Sequence, residues 1–173
     1  MKAKLSTFAL VTPLALITLT GCSVNSDETP IVGTSTSLDA ADATEKVSSG
    51  IYELIGVKGK ASNSQSGVLE CSGKDPDKYF KIFHPWSFYP ASPGDLEKAM
   101  KNLKTELQKH GWKIVEYGPN NSKAKDISLT ADNDEKKVGV NIVQMLKNDP
   151  PKLSLTVVSG CYKVPDGQKV QHF

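Results

Sequence analysis

From Trp112 to Cys161 the chain alternates apolar and polar residues in successive short runs. Trp112, Ile114 and Glu116 alternate with Lys113, Val115 and Tyr117. Ile127, Leu129 and Ala131 share one parity, as do Val138, Val140 and Ile142, and then Leu153, Leu155, Val157 and Cys161. A period of two puts each such set on one face of a strand. Asn120-Asn121 and Asp132-Asn133-Asp134 supply turns between neighbours. Four strands joined this closely in sequence imply an antiparallel meander, which needs something apolar packed on its inner face.

Two helical patterns supply that cover. In the stronger one, about Pro93 to His110, Leu96, Met100, Leu103 and Leu107 form a single stripe. Ser92 is placed to N-cap it, Pro93 suits the first turn, and Gly111 fits a left-handed C-cap with Trp112 folding back. The other runs from about Leu38 to Ile55 with Ser37 as cap and Ala40, Ala43, Val47, Ile51 and Leu54 as stripe, weakened by Gly50. Short strands are expected at 68–71 and 79–89 between them. The order is helix, two strands, helix, four strands. The expected fold is α+β, an antiparallel sheet of about five to six strands with two helices packed on one face.

The N-terminus is of a different kind. Lys2 and Lys4 precede an apolar run of about fifteen residues interrupted by Pro13, shorter than the roughly 20 residues a membrane-spanning helix needs. This is the pattern of a signal peptide. The run ends Leu19-Thr20-Gly21-Cys22, which closely resembles the lipobox of bacterial prolipoproteins. The resemblance implies that residues 1–21 are removed and that Cys22 is lipidated and becomes the mature N-terminus. Two or three acyl chains suffice for stable anchoring. Residues 22–36 then read as a flexible Ser/Thr-rich tether, reaching about 20 Å on average, and 37–173 as one globular domain. The expected location is outside the cytoplasm, lipid-anchored to the outer side of the cell membrane. With Ser23 after the cysteine, outer-membrane sorting is open in a Gram-negative cell.

Composition narrows the function. All 21 basic residues are lysine; removing Lys2 and Lys4 leaves 19 against 19 acids. A chain without net charge or arginine lacks the basic field and the bidentate forks of a nucleic-acid binder. Cys71 and Cys161 are an even pair in an exported chain and have inward strand parity, which suggests a disulfide. Two buried free thiols are the alternative.

No chemistry-bearing motif emerges. His84, His110 and His172 are scattered, so no zinc site is expected. Asp132-Asn133-Asp134-Glu135 opens like a calcium loop, but Lys137 and Val143 occupy the positions where glycine and glutamate are needed. No catalytic residues and no cofactor are expected.

One segment stands out. Residues 79–89, YFKIFHPWSFY, hold six of the chain's twelve aromatics. Alternation sends Phe80, Ile82, Trp86 and Phe88 inward and Tyr79, Phe83 and Tyr89 to the other face. With His84 beside them, Tyr79, Phe83, Trp86 and Tyr89 form a candidate surface for stacking a glycan ring or docking a protein. Burial of these side chains in the core is the competing reading.

Some features together resemble a group of uncharacterised actinobacterial lipoproteins: the lipobox, Cys71-Ser-Gly-Lys-Asp-Pro-Asp, Leu107-Gln-Lys-His-Gly-Trp-Lys-Ile-Val, and Leu-Ser-Leu-Thr-Val-Val-Ser-Gly-Cys161. The absence of arginine departs from that group. The resemblance implies an envelope lipoprotein and no activity.

The sequence therefore favours a membrane-tethered, non-enzymatic module that binds an envelope protein or polymer. A carrier or sensor of a small hydrophobic ligand would need a deep apolar pocket beneath Trp86 and Trp112. A cell-wall or lipid hydrolase would need a cleft with clustered acids, or His84 beside a nucleophile.

Overall fold

The twelve-residue strand Tyr79–Pro90 is the hub around which the rest of the sheet is arranged. A computed structural model of the chain describes residues 30–173; the segment expected to be a signal peptide and the expected lipidation site Cys22 lie outside the described residues. In chain order the elements are β1 (Ile31–Thr34), α1 (Ser37–Leu54), β2 (Gly59–Ala61), β3 (Gly67–Glu70), β4 (Tyr79–Pro90), α2 (Asp95–Lys109), β5 (Lys113–Pro119), β6 (Ile127–Asn133), β7 (Val138–Met145), β8 (Lys152–Ser159) and β9 (Cys161–Lys163).

On one edge β4 pairs with β2 and β3, and on the other with β8 and β9, all antiparallel. Beyond β8 the order continues β7, β6, β5, which is the meander expected from the alternating runs. The sheet curls into a half-barrel. The fold is α+β, but the sheet corrects the sequence expectation in two ways. It has nine strand segments rather than five to six, and it is mixed, because β1 runs parallel to β9.

The extra segments have local causes. Next to β4, the chain leaves the ladder over residues 62–66 and so splits one edge into β2 and β3. Between β8 and β9 the break falls at Gly160, whose N–H bonds to Lys137 O at 2.8 Å. There the Ser159 hydroxyl replaces a ladder carbonyl by accepting from the Ile82 N–H at 2.9 Å. Finally, β1 at Ile31–Thr34 lies within the residues read from the sequence as tether. Pairing with β9 and the seating of Val32 over Gly160 outweigh the weak local signal of Ile31-Val32 flanked by Pro30 and Gly33.

Both helices contribute to one core with the inward faces of β4, β6, β7 and β8. Ile51 and Ile55 join Leu96, Met100, Leu103 and Leu107 against Trp86, Phe88, Leu129, Ile142 and Leu155. Helix α2 starts at Asp95, two residues later than expected, because Ser92 and Pro93 form a turn whose carbonyls accept from the Asp95 and Leu96 N–H groups. Its end follows the expected pattern. Gly111 has φ +78°, and the Trp112 N–H returns to Leu107 O at 3.0 Å. His110 Nδ1 lies 2.8 Å from Glu106 O, so it satisfies a terminal carbonyl.

Helix α1 is capped by Thr36 rather than Ser37. The Thr36 hydroxyl accepts from Asp39 N at 3.1 Å and donates to Asp39 Oδ2 at 2.6 Å. Ser37 is buried instead and accepts from Gln171 N at 3.1 Å. The buried face of α1 is Ser37, Ala40, Ala41, Thr44, Ser48 and Ile51, so Ala43 is exposed and Val47 only half-buried. Small side chains on this face let the helix lie close to β4.

A disulfide joins Cys71 and Cys161, with Cα atoms 5.9 Å apart. It links the residue after β3 to the first residue of β9, the two neighbours of the first part of β4. The C-terminal tail is also held down. Val164 N bonds to Lys78 O, Val170 N bonds to Asp77 O, and Lys169 Nζ lies 2.7 Å from Asp77 Oδ2. His172 follows directly on this docked segment.

Candidate functional site

The gap between β2 and β3 creates a cleft. Along β4, Ser87 turns its backbone groups towards this edge. Its C=O accepts from Ser62 N at 2.8 Å, and its N–H donates to Ser62 Oγ at 3.0 Å. Two residues back, Pro85 points its backbone the same way and has no N–H to satisfy. A proline is tolerated where a strand edge lacks a partner, so the chain can bulge away over 62–66 without stranding a donor there.

The bulge is fixed from the helix. Glu45 Oε1 accepts from Ser66 Oγ at 2.8 Å and from Ser66 N at 3.2 Å. Between α1, the 62–66 segment and β4 lies an open cleft of about 310 Å³. Ser48, Ser49, Tyr52 and Glu53 come from α1, Ala61 from β2, Ser62, Asn63 and Ser64 from the bulge, and His84 and Trp86 from β4.

His84 bridges two of these walls. Its Nδ1 lies 2.8 Å from Ser48 Oγ and its Nε2 3.4 Å from Ser64 O. A carbonyl only accepts, so the proton belongs on Nε2, and Nδ1 accepts from the Ser48 hydroxyl. Ser48 thus spends its hydroxyl across the interface. Its neighbours Thr44 and Ser49 instead bond back to the i−4 carbonyls of Ala40 and Glu45.

Tyr52 stands at the mouth, 37% exposed. Its ring centroid is 6.3 Å from that of Trp86 and 6.0 Å from that of Phe88, both at steep angles. Trp86 is 6% exposed, and its indole N–H finds no acceptor among the described residues. The lining holds Glu53 and no lysine.

The five aromatic and histidine positions singled out from the sequence do not form one surface. His84 and Trp86 lie on the helix-facing side of β4, within the cleft. Tyr79, Phe83 and Tyr89 lie on the opposite side and are half-buried. Phe83 covers Gly67 so closely that a β-carbon there would fall 2.4 Å from its ring. Lys152 Nζ sits 5.9 Å from the Tyr89 ring and Lys74 Nζ 5.8 Å from the Tyr79 ring.

Sequence reading missed Ser48, Tyr52 and Ser62–Ser64. Ser48 and Tyr52 share the i, i+4 spacing that puts them on one side of a helix, but polar residues so placed read as a solvated face. The run Ala61-Ser-Asn-Ser-Gln-Ser66 reads only as a loop. Among the described residues, no three His, Cys, Asp or Glu side chains gather as metal ligands would, and no helix is long and apolar enough to cross a membrane. The chain matches no protein-family model, no curated protein and no solved structure.

Proposed function

We propose that the protein is an exported lipoprotein, anchored to the cell membrane through Cys22, whose domain is a non-enzymatic binding module of the envelope. The observation that carries this reading is the α1–β4 cleft, where an exposed aromatic ring stands over a row of hydrogen-bonding side chains. Pockets of about 300–1,000 Å³ with a few convergent polar groups are ordinary small-ligand sites, and this one lies at the small end of that range.

The lining weighs against a carrier of hydrophobic molecules. Ala61 is the only lining residue without a polar side-chain atom. An apolar ligand would desolvate the Asn63 amide, the Ser64 hydroxyl and the Glu53 carboxylate without giving them partners.

Two measurements test the proposal. Cys22→Ala should release the protein from membranes and abolish incorporation of labelled palmitate; continued membrane association defeats the lipoprotein claim. Amide-resolved NMR of the full chain with a digest of cell-wall polymer should show shifts clustered at Ser48, Tyr52, Ser62–Ser64 and His84. Shifts confined to other surfaces would place the site elsewhere.

A second reading rests on the 2.8 Å contact of Ser48 Oγ with His84 Nδ1, the arrangement of a nucleophile and its general base. Against it, Ser48 sits in mid-helix and is 3% exposed, which leaves little room for an acyl group on its oxygen. Covalent labelling of Ser48 by a fluorophosphonate, lost in His84→Ala, would establish this alternative.

A further inference from the structure

We propose that the cleft takes an uncharged sugar ring, presented by a neutral glycan of the cell envelope. This rests on the reading of the cleft as the binding site and names the chemistry of its ligand. The Tyr52 ring, held at the mouth against Trp86 and Phe88, offers a flat apolar face to the C–H side of a pyranose. Around it stand the partners that ring hydroxyls require. The Ser64 hydroxyl and the Asn63 amide both donate and accept, and the Glu53 carboxylate accepts. Ser49, whose proton goes to Glu45 O, can still accept, and Ser62, which accepts from Ser87 N, can still donate.

Competing ligands fit less well. An anion finds no lysine in the lining, although the chain carries 21 of them, and meets the Glu53 carboxylate instead. A quaternary ammonium group would suit the aromatic ring and Glu53 but makes no hydrogen bonds, so the serine and asparagine groups would lose water for nothing. An extended peptide would need an open strand edge. Here Ser62 already holds both backbone groups of Ser87, and Pro85 has no donor to give.

The test uses the full-length chain, purified from the cells that make it, on an array of neutral and anionic oligosaccharides with palmitate and choline as further probes. The best neutral glycan is then titrated into the wild type, Tyr52→Ala and Asn63→Ala. Asn63 lies on the bulge, so its loss should leave the fold intact if Tyr52→Ala perturbs α1. Binding of neutral glycans, with affinity about tenfold weaker in each variant, supports the inference. Preferential, cleft-dependent binding of an anionic glycan, palmitate or choline overturns the sugar assignment while leaving the cleft as the site. Binding of glycans unchanged in both variants, or no binding of any probe, overturns the assignment and the cleft reading together.

Discussion

Val32 lies so close over Gly160 that a β-carbon on the glycine would fall 2.3 Å from Val32 Cγ1. The contact seats β1 beside β9 at the break in the strand, and it draws part of the supposed tether into the sheet. The Gly160 backbone is not in the left-handed region, so only this contact forbids a side chain. Gly160→Ala should therefore displace β1 and cost about 1–3 kcal/mol, the usual range for overpacking. Hydrogen exchange should show Ser35 N, which bonds to Lys163 O at 3.0 Å, losing protection. Adding Val32→Ala should restore most of it. Unchanged protection in Gly160→Ala would show that β1 does not depend on this seat.

Ser48→Ala removes the only donor shown for His84 Nδ1 and leaves a ring nitrogen without its partner against α1. A loss of about 1 kcal/mol is expected in urea unfolding. Ser49→Ala, one residue on, removes only an exposed bond to the Glu45 carbonyl and should change stability by less than about 0.5 kcal/mol. Equal effects of the two would remove the special role given to the Ser48–His84 contact.

Reducing the Cys71–Cys161 bridge frees a loop of sequence separation 90. In the chain-entropy account this lowers stability by about 4–5 kcal/mol. The denaturation midpoint with and without reductant measures the loss. Digestion without reduction should yield one peptide pair joining the two cysteines; recovery of both as alkylated thiols would refute the bridge.

Asp77 and Lys169 clamp the C-terminal tail, and each shifts the other's titration. The hydrogen bond from Lys169 and its charge hold the Asp77 carboxyl below its ordinary 3.8, while Asp77 raises Lys169 above 10.5. A depressed carboxyl contributes fully above its unfolded value and loses that contribution as pH falls through the folded one. A raised ammonium contributes fully below its unfolded value and loses it as pH rises through the folded one. Exchange protection at Val170 and Gln171 should therefore be flat from about pH 5 to 9, falling in acid below the ordinary carboxyl range and again in strong alkali. Asp77→Asn should abolish the acid limb. Because both groups are exposed, salt should weaken the effect.

The meander, the two helices and the cysteine pair were legible because each leaves a local trace. Leu129 and Ala131, Val140 and Ile142, and Leu153, Leu155 and Val157 repeat every two residues, and burial of one sheet face enforces that repeat. Leu96 to Leu107 repeat at helical spacing, and Gly111 ends them by its backbone freedom. The charge balance and the lipobox-like leader are likewise properties of the chain itself.

The cleft has no such trace. Ser48, Tyr52, Asn63 and Trp86 are separated by ten or more residues except for one helical pair, and each alone is an ordinary surface or core residue. They meet because β2 and β3 pair with opposite ends of the same edge of β4, leaving Pro85 unpartnered between them. The same is true of β1, whose four residues become a strand only when Gly160 leaves room for Val32. Periodicity and capping act between residues a few positions apart, so the sequence alone determined that two helices and the meander form, the inward stripe of α2 and the inward faces of β6 to β8. The buried face of α1, with Ala41, Thr44 and Ser48 in place of Ala43, came instead from its packing on β4. Strand order, the mixed sheet and the composition of the cleft depend on contacts between distant segments. Those contacts exist only once loop closure has brought the segments together, and tertiary structure alone decided them.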